Sequence, residues 1–239
     1  MRLDRFLSNA GIGSRKEVKK LIKCGRIKVN NKIIRHPAYY VNEEETVFLD
    51  DERVIPYHNV YIVMNKPEGF TCSKSEYEPN IFEFLIHPYL DKLHIAGRLD
   101  KDVEGLIIIT NDGQFTHKVI SPKSKVEKEY HVEVEGILTD KMINKVEKGI
   151  VLKNGMVFAP AKIKQLSDGM VSLVITEGKY HEVKYIIAAI GLVLKRMRRV
   201  RIGNLRLDEF NLKKGQWKEI PRKKALKALE GYDKSVYSE

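Results

Sequence analysis

Gly97-Arg98-Leu99-Asp100-Lys101-Asp102-Val103-Glu104-Gly105-Leu106 runs directly into Ile107-Ile108-Ile109-Thr110-Asn111-Asp112-Gly113. The apolar run from Leu106 to Ile109 predicts a strand, and Gly97 and Gly105 bracket a tight polar turn before it. Asp100 stands in that turn, with Arg98 next but one. A carboxylate held there can act on a substrate or simply cap the turn, and the segment alone allows both.

Outward from this point the pattern is rich in strands. Val60 to Asn65 is a dense β-type run stopped by Lys66-Pro67-Glu68-Gly69. Further strands are expected at 130–134, 157–163, 171–175, 199–202 and 217–220. Helices are expected at 81–90, 115–120, 140–149 and 179–190. The strands do not alternate regularly with helices, and there is no Gly-x-Gly-x-x-Gly or Walker-type phosphate loop. The expected fold class is therefore α+β, with a mixed, largely antiparallel sheet.

Residues 1–58 read as a separate small α/β unit. Leu3, Phe6 and Leu7 share one face of a short helix. Ser14 precedes Glu17 at capping-box spacing and starts a second helix, whose buried stripe is Val18, Leu21 and Ile22. Arg15, Lys16, Lys19, Lys20 and Lys23 crowd its other side. Strands are expected at 26–29, 32–34 and 46–49, with Asn30-Asn31 as a turn. Residues 53–59, which include Pro56, read as a linker. The larger domain is expected over 59–230, with a C-terminal tail at 231–239.

The chain has 239 residues and a formal net charge of +11. A polyanion is the simplest partner for that charge, because each neutralised phosphate releases counterions. A membrane partner would call for a long amphipathic basic helix or a lipidation site, and neither is seen in the sequence. Cys24 and Cys72 read as two reduced thiols and no secretory signal is found, so a cytoplasmic location is expected. The histidines show no ligand spacing, so no metal is expected.

Five separated segments carry a resemblance: Asn65-Lys66-Pro67-Glu68-Gly69; Gly97-Arg98-Leu99-Asp100; Gly105-Leu106 with Thr110-Asn111-Asp112-Gly113; Lys128-Glu129-Tyr130; and Glu177-Gly178-Lys179-Tyr180-His181-Glu182-Val183-Lys184. In this order they resemble the RNA pseudouridine synthases, in particular the ribosomal branch with an N-terminal S4 domain. The first fifty residues resemble that S4 domain through Arg2-Leu3-Asp4, Gly13-Ser14-Arg15 and Gly25-Arg26-Ile27-Lys28-Val29-Asn30.

The resemblance implies a catalytic role for Asp100, a place in the uridine pocket for Tyr130, and contact between Lys184 and the aspartate. It implies isomerisation of uridine to pseudouridine in ribosomal RNA without a cofactor, by a monomer. The Tyr180-His181 pair is most similar to branch members that act on small-subunit (16S) RNA. Large-subunit RNA and a non-catalytic ribosome-binding role are the alternatives. The RNA is expected naked or in a partly assembled small subunit. The RNA-gripping set implied is Arg2, Arg15, Lys16, Lys19, Lys20, Lys23, Arg26 and Lys28 in the small unit. In the larger one it is Arg98, Lys179, Lys195, Arg196, Arg198, Arg199 and Arg201, with Val200 and Ile202 pointing inward. Three positions depart from the family pattern: Val103 replaces a hydroxyl residue, Glu182 a glutamine, and Tyr185 a cation.

Overall fold

A computed structural model describes residues 1–42, 44–55, 58–75 and 77–231. The chain divides into two compact units, Met1–His58 and Asn59–Glu239. Pro56 of the expected linker, and the expected tail from residue 232 onward, lie outside the described residues.

The first unit packs two helices, α1 (Leu3–Asn9) and α2 (Arg15–Lys23), with four short strands. These are β1 (Ile27–Val29), β2 (Lys32–Ile33), β3 (Val47–Leu49) and β4 (Glu52–Val54), in sheet order β2-β1-β3-β4. Ser14 and Glu17 form the reciprocal capping box that the spacing predicts, so two otherwise unbonded N–H groups of the first turn find acceptors. Val18 and Ile22 are fully buried against Leu3, Leu7 and Ile27. Asn30-Asn31 and Asp50-Asp51 both take left-handed backbone, which gives the tight turns of two hairpins. The second hairpin corrects the expected linker: Arg53 and Val54 belong to β4. Its polar composition reads as a loop, but a strand at a sheet edge needs only one buried side chain, here Val54.

The second unit is built on β5 (Tyr61–Lys66), β6 (His94–Ile95), β7 (Glu104–Thr110), α3 (Gly113–Ile120), β8 (Lys128–Glu135), α4 (Asp140–Glu147), β9 (Ile150–Val151), β10 (Val157–Phe158), β11 (Lys162–Ser167), β12 (Met170–Ile175), α5 (Glu182–Ala189), β13 (Val193–Ile202), β14 (Leu205–Arg206), β15 (Trp217–Glu219) and α6 (Arg222–Ala225). Among the described residues one large sheet runs β11-β12-β8-β13-β7-β5-β15, with β6 on β7 and β14 on β13. Its pairs are antiparallel except β13 with β7.

β5 and β7 are covered on both faces, which explains why their sequences are unbroken apolar runs. Ile62, Met64, Ile107 and Ile109 face one core, where α5 adds Val183, Ile186 and Ile187. Tyr61, Val63, Leu106 and Ile108 face the other, closed by Phe115 and Val119 of α3. Two expectations shift. The stretch 81–90 forms 3-10 turns at Ile81–Phe84 and Leu90–Lys92, too short for an α-helix. α5 begins at Glu182, after a loop that ends with His181 in left-handed backbone.

The parallel seam between β7 and β13 is tight. Gly105 lies opposite Arg199, with φ +113°, and a Cβ there would stand 2.2 Å from the Arg199 carbonyl oxygen and 2.7 Å from its nitrogen. Both obstacles are backbone and cannot swing aside. Gly105→Ala should destabilise the protein by about 2–4 kcal/mol, seen as an earlier urea midpoint. Gly113→Ala, at an open position with no positive φ, should stay within ~0.5 kcal/mol of the parent.

Candidate active site

The loop joining β6 to β7 carries Asp100, and two buried cations grip it. The Lys66 ammonium donates to the carbonyls of Pro67 (3.0 Å), Lys101 (3.3 Å) and Val103 (2.7 Å). Arg199 donates to the carbonyls of Gly97 (2.6 Å) and Leu106 (2.8 Å), on either side of the turn. Burial pushes the Lys66 pKa down, against the pull of Cys72 and of Asp102 and Asp100. The turn is closed further by Gly69 N–H to the Lys101 carbonyl (2.8 Å) and by Leu99 N–H to Cys72 Sγ (3.3 Å).

Asp100 presents one carboxylate oxygen to an ammonium and an imidazole from the segment that opens α5. Lys184 Nζ lies 3.3 Å from Oδ2 and His181 Nε2 lies 3.2 Å from it. Lys184 also donates to Asp102 Oδ1 at 2.9 Å. Partial burial works against the Lys184 ammonium, but the hydrogen bonds it donates to Asp102 and Asp100 raise its pKa overall. Burial likewise opposes the Asp102 carboxylate, and Lys184 lowers its pKa.

Asp100 and His181 line a cavity of about 600 Å³, within the range that accepts a nucleotide-sized ligand. Tyr130 of β8 forms part of its wall and is buried, with its hydroxyl 3.5 Å from an Arg199 nitrogen. Lys128, two residues earlier on the same face of β8, is also buried. It donates to the carbonyls of Val126 (3.0 Å) and Glu177 (2.8 Å). Burial and the nearby Arg199 charge bring its pKa down to about 8, opposed by Glu182.

The three departures have local explanations. One Glu182 oxygen accepts the N–H groups of Gly178 (2.8 Å) and Lys179 (2.9 Å), a task that an amide oxygen can do equally. Burial raises the Glu182 pKa and those bonds oppose the rise. Val103 is buried in the core. Tyr185 stacks against Phe158 at 5.9 Å, so packing stands where a cation is expected.

Of the residues expected to grip RNA, Arg15, Lys16, Lys19, Lys20 and Lys23 are exposed on α2. Arg2, Arg26 and Lys28 are paired with Asp4, Asp50 and Asp51. Arg98 and Lys179 stand at the cavity, Lys179 paired with Glu177 at 3.0 Å. Lys195 pairs with Glu135 at 2.6 Å, and Arg196 is exposed. Arg198 is half-buried, and its Nε has no hydrogen-bond partner.

Arg199 and Arg201 require correction. Both are buried, at 1% and 2% exposure, and neither can grip a phosphate on the surface. Burial along β13 alternates through Met197, Arg199 and Arg201, which leaves Val200 half-buried, and Ile202 just past the bulge between Arg199 and Arg201 is buried as well. Arg199 clamps the Asp100 loop. Arg201 lies among Glu129 (2.8 Å), Glu127 (3.1 Å) and the Gly203 carbonyl (2.7 Å). Burial opposes ionisation of Glu129, yet hydrogen bonds from His131, Arg201 and Ser172 hold its carboxyl well below the usual range. Sequence reasoning assigned no role to His181, Lys128 or Lys66. His181 and Lys128 stand within quoted motifs beside the residues that were chosen, and Lys66 within the first quoted motif.

Two family profiles match the chain: RNA pseudouridylate synthase over residues 60–189, and the S4 domain over residues 1–47. It is 39% identical to an uncharacterized RNA pseudouridine synthase of Aquifex aeolicus (strain VF5), across 98% of this chain and 99% of that protein. It is 34% identical to ribosomal small subunit pseudouridine synthase A of Haemophilus influenzae, across 96% of this chain and all of that one (100%). The corresponding protein of Vibrio vulnificus is 37% identical, over 92% and 96%. A crystal structure of a pseudouridylate synthase, 34% identical, superposes with a TM-score of 0.68 over 95% of this chain and 99% of that one.

The Lys128 environment has a measurable signature. Its folded pKa of about 8 lies below the ordinary lysine value, so between the two the unfolded chain holds a proton that the folded chain has released. Stability contributed by Lys128 therefore rises with pH across that window. Lys128→Gln keeps two N–H donors and removes the titration. From about pH 7.5 to about pH 9.5 the wild type should gain about 1–2 kcal/mol on this variant in urea unfolding. A gap that stays flat over that range would mean that Lys128 titrates like an exposed lysine.

Proposed function

The chain belongs to the RNA pseudouridylate synthases that carry an S4 domain, and from that membership we propose that it isomerises a uridine of small-subunit ribosomal RNA to pseudouridine, with Asp100 as the catalytic carboxylate. The observation that carries this reading is the Asp100 carboxylate at the wall of the cavity, with Lys184 and His181 on one oxygen. The small-subunit assignment draws on the names of the Haemophilus and Vibrio proteins, which match along nearly the whole chain.

The reaction breaks the bond from C1′ to N1 and makes one from C1′ to C5. N1 gains a proton and C5 loses one. No electrons enter or leave, and no group arrives from outside, so the chemistry asks for no cofactor. Asp100 either attacks C1′ or removes a ribose proton to start an elimination. In both routes Lys184 and His181 leave the second carboxylate oxygen available to the substrate. Tyr130 offers a ring face against which the detached uracil can turn, and the cavity wall confines the base while it does.

The base must first leave its stack in folded RNA, which costs a few kcal/mol that backbone contacts must offset. The exposed cations of α2 fit that task within the small unit, and within the larger unit so do Arg98 and Arg196. Arg199 and Arg201 are not part of this surface. The partner is ribosomal RNA, naked or in a partly assembled small subunit, and the setting is cytoplasmic, where ribosomes are built. Among the described residues no helix is long and apolar enough to cross a membrane.

Asp100→Asn should abolish pseudouridine formation while RNA binding persists, because Asn preserves size but cannot serve as nucleophile or base. Ribosomal RNA of both subunits, naked and partly assembled, from cells lacking this enzyme is the substrate, and pseudouridine mapping is the readout. Turnover by the Asn variant at the wild-type rate would end the mechanism. Modification of large-subunit RNA alone would redirect the substrate, and binding with no modification at all would favour a non-catalytic role.

Reversing the charges of Lys19, Lys20 and Lys23 should weaken RNA binding and flatten its salt dependence by about two units of slope. Folding should hold, because Val18 and Ile22 occupy the opposite face. Titrations at several salt concentrations decide it; an unchanged slope would move the grip off α2.

A further inference from the structure

Tyr180 is a large aromatic ring, 73% exposed, at the edge of the catalytic cavity. It packs face to face on His181, with ring centroids 3.7 Å apart and planes inclined by 23°. The His181 ring in turn reaches Asp100, 3.2 Å from its carboxylate. Tyr180 is therefore linked to the Asp100 carboxylate through the single ring of His181.

The ring is held in place from below. Gly178 and Lys179 give their N–H groups to the Glu182 carboxylate, and Glu182 N–H returns to the Lys179 carbonyl at 3.2 Å. Lys179 is anchored to the Val157 carbonyl at 2.8 Å. His181 adopts φ +53°, a backbone state that a non-glycine residue keeps only when its surroundings enforce it. The folded chain thus fixes an apolar, solvent-facing ring where burial would be the ordinary outcome for that surface.

Resting on the function proposed above, we propose that Tyr180 is the stacking surface for a base adjacent to the uridine being isomerised. Moving the target base into the cavity breaks its stacking with both neighbours. A ring fixed beside the entrance offers one of those neighbours a replacement partner, and so stabilises the state in which the uridine is inside. Every base has a π-face, so the contact tolerates any sequence but favours the larger face of a purine. Tyr180 acts as a positioning residue for the flipped state and takes no part in bond making.

The experiment uses the full chain and a small-subunit ribosomal RNA transcript, intact or with an abasic nucleoside on either side of the modified uridine. Tyr180→Ala should lower kcat/KM about tenfold, the scale of one lost base–aromatic stack, without a change in melting temperature. Tyr180→Phe should stay within about twofold of wild type, because the ring face is retained. An abasic nucleoside on one side should cost the wild type about as much as the Ala substitution, and cost the Ala variant little more. Wild-type turnover by Tyr180→Ala, equal losses for Phe and Ala, or fully additive losses with the abasic RNA would each overturn this proposal alone. Absence of pseudouridine with the wild-type protein on any ribosomal RNA would overturn the function itself, and this proposal with it.

Discussion

Two buried cations bonded to backbone carbonyls determine where the chemistry can occur. Lys66 comes from the end of β5 and Arg199 from β13, and between them they fasten the ends and the middle of the loop that carries Asp100. A buried ammonium or guanidinium without acceptors would be strongly unfavourable, so each cation needs the loop in one conformation. The dependence is mutual: the carbonyls of Gly97 and Val103, turned inward, accept from these two side chains. Asp100 owes its fixed position to partners that never touch its carboxylate.

The surroundings of Asp100 separate two tasks that a single cation could not perform. Lys184 spans Asp100 and Asp102, neutralising a pair of acids brought together by the turn. His181 approaches the same Asp100 oxygen from a different direction and belongs at once to the carboxylate and to the stack with Tyr180. Glu182, an acid in place of an amide, shapes the loop that presents His181 through bonds to backbone N–H groups. The substitution thus preserves geometry while altering local charge beside Lys128.

Much of this arrangement was legible in the residues. The capping box of Ser14 and Glu17, the apolar runs of β5 and β7, and the turn around Asp100 follow from local rules, and the structure contains them all. The link from Asp100 to Lys184 was reachable only through the family pattern, since eighty-odd residues separate the two in sequence. What local rules could not give was the register of β13. A strand of arginines and apolar residues reads as cations outward, yet the buried positions of β13 fall on Met197, Arg199 and Arg201. The carboxylates of Glu127 and Glu129 that receive it lie just before and within β8, invisible to any windowed pattern. The late start of α5 was missed for a related reason: residues 179–181 have helical composition, but the Glu182 bonds hold them as a loop.

The parallel pairing of β7 with β13 also bears on the order in which the molecule comes into being. Hairpins such as β11 with β12 can zip locally, whereas this seam joins segments nearly a hundred residues apart and must await a large loop closure. Asp100 lies on one side of that seam, Arg199 on the other, and Gly105 at the contact itself. A nascent chain on the ribosome therefore holds the carboxylate long before it holds the clamp. Competence arrives in a late cooperative event, when the last third of the domain has emerged, and a partly synthesised chain carries the motif without the site.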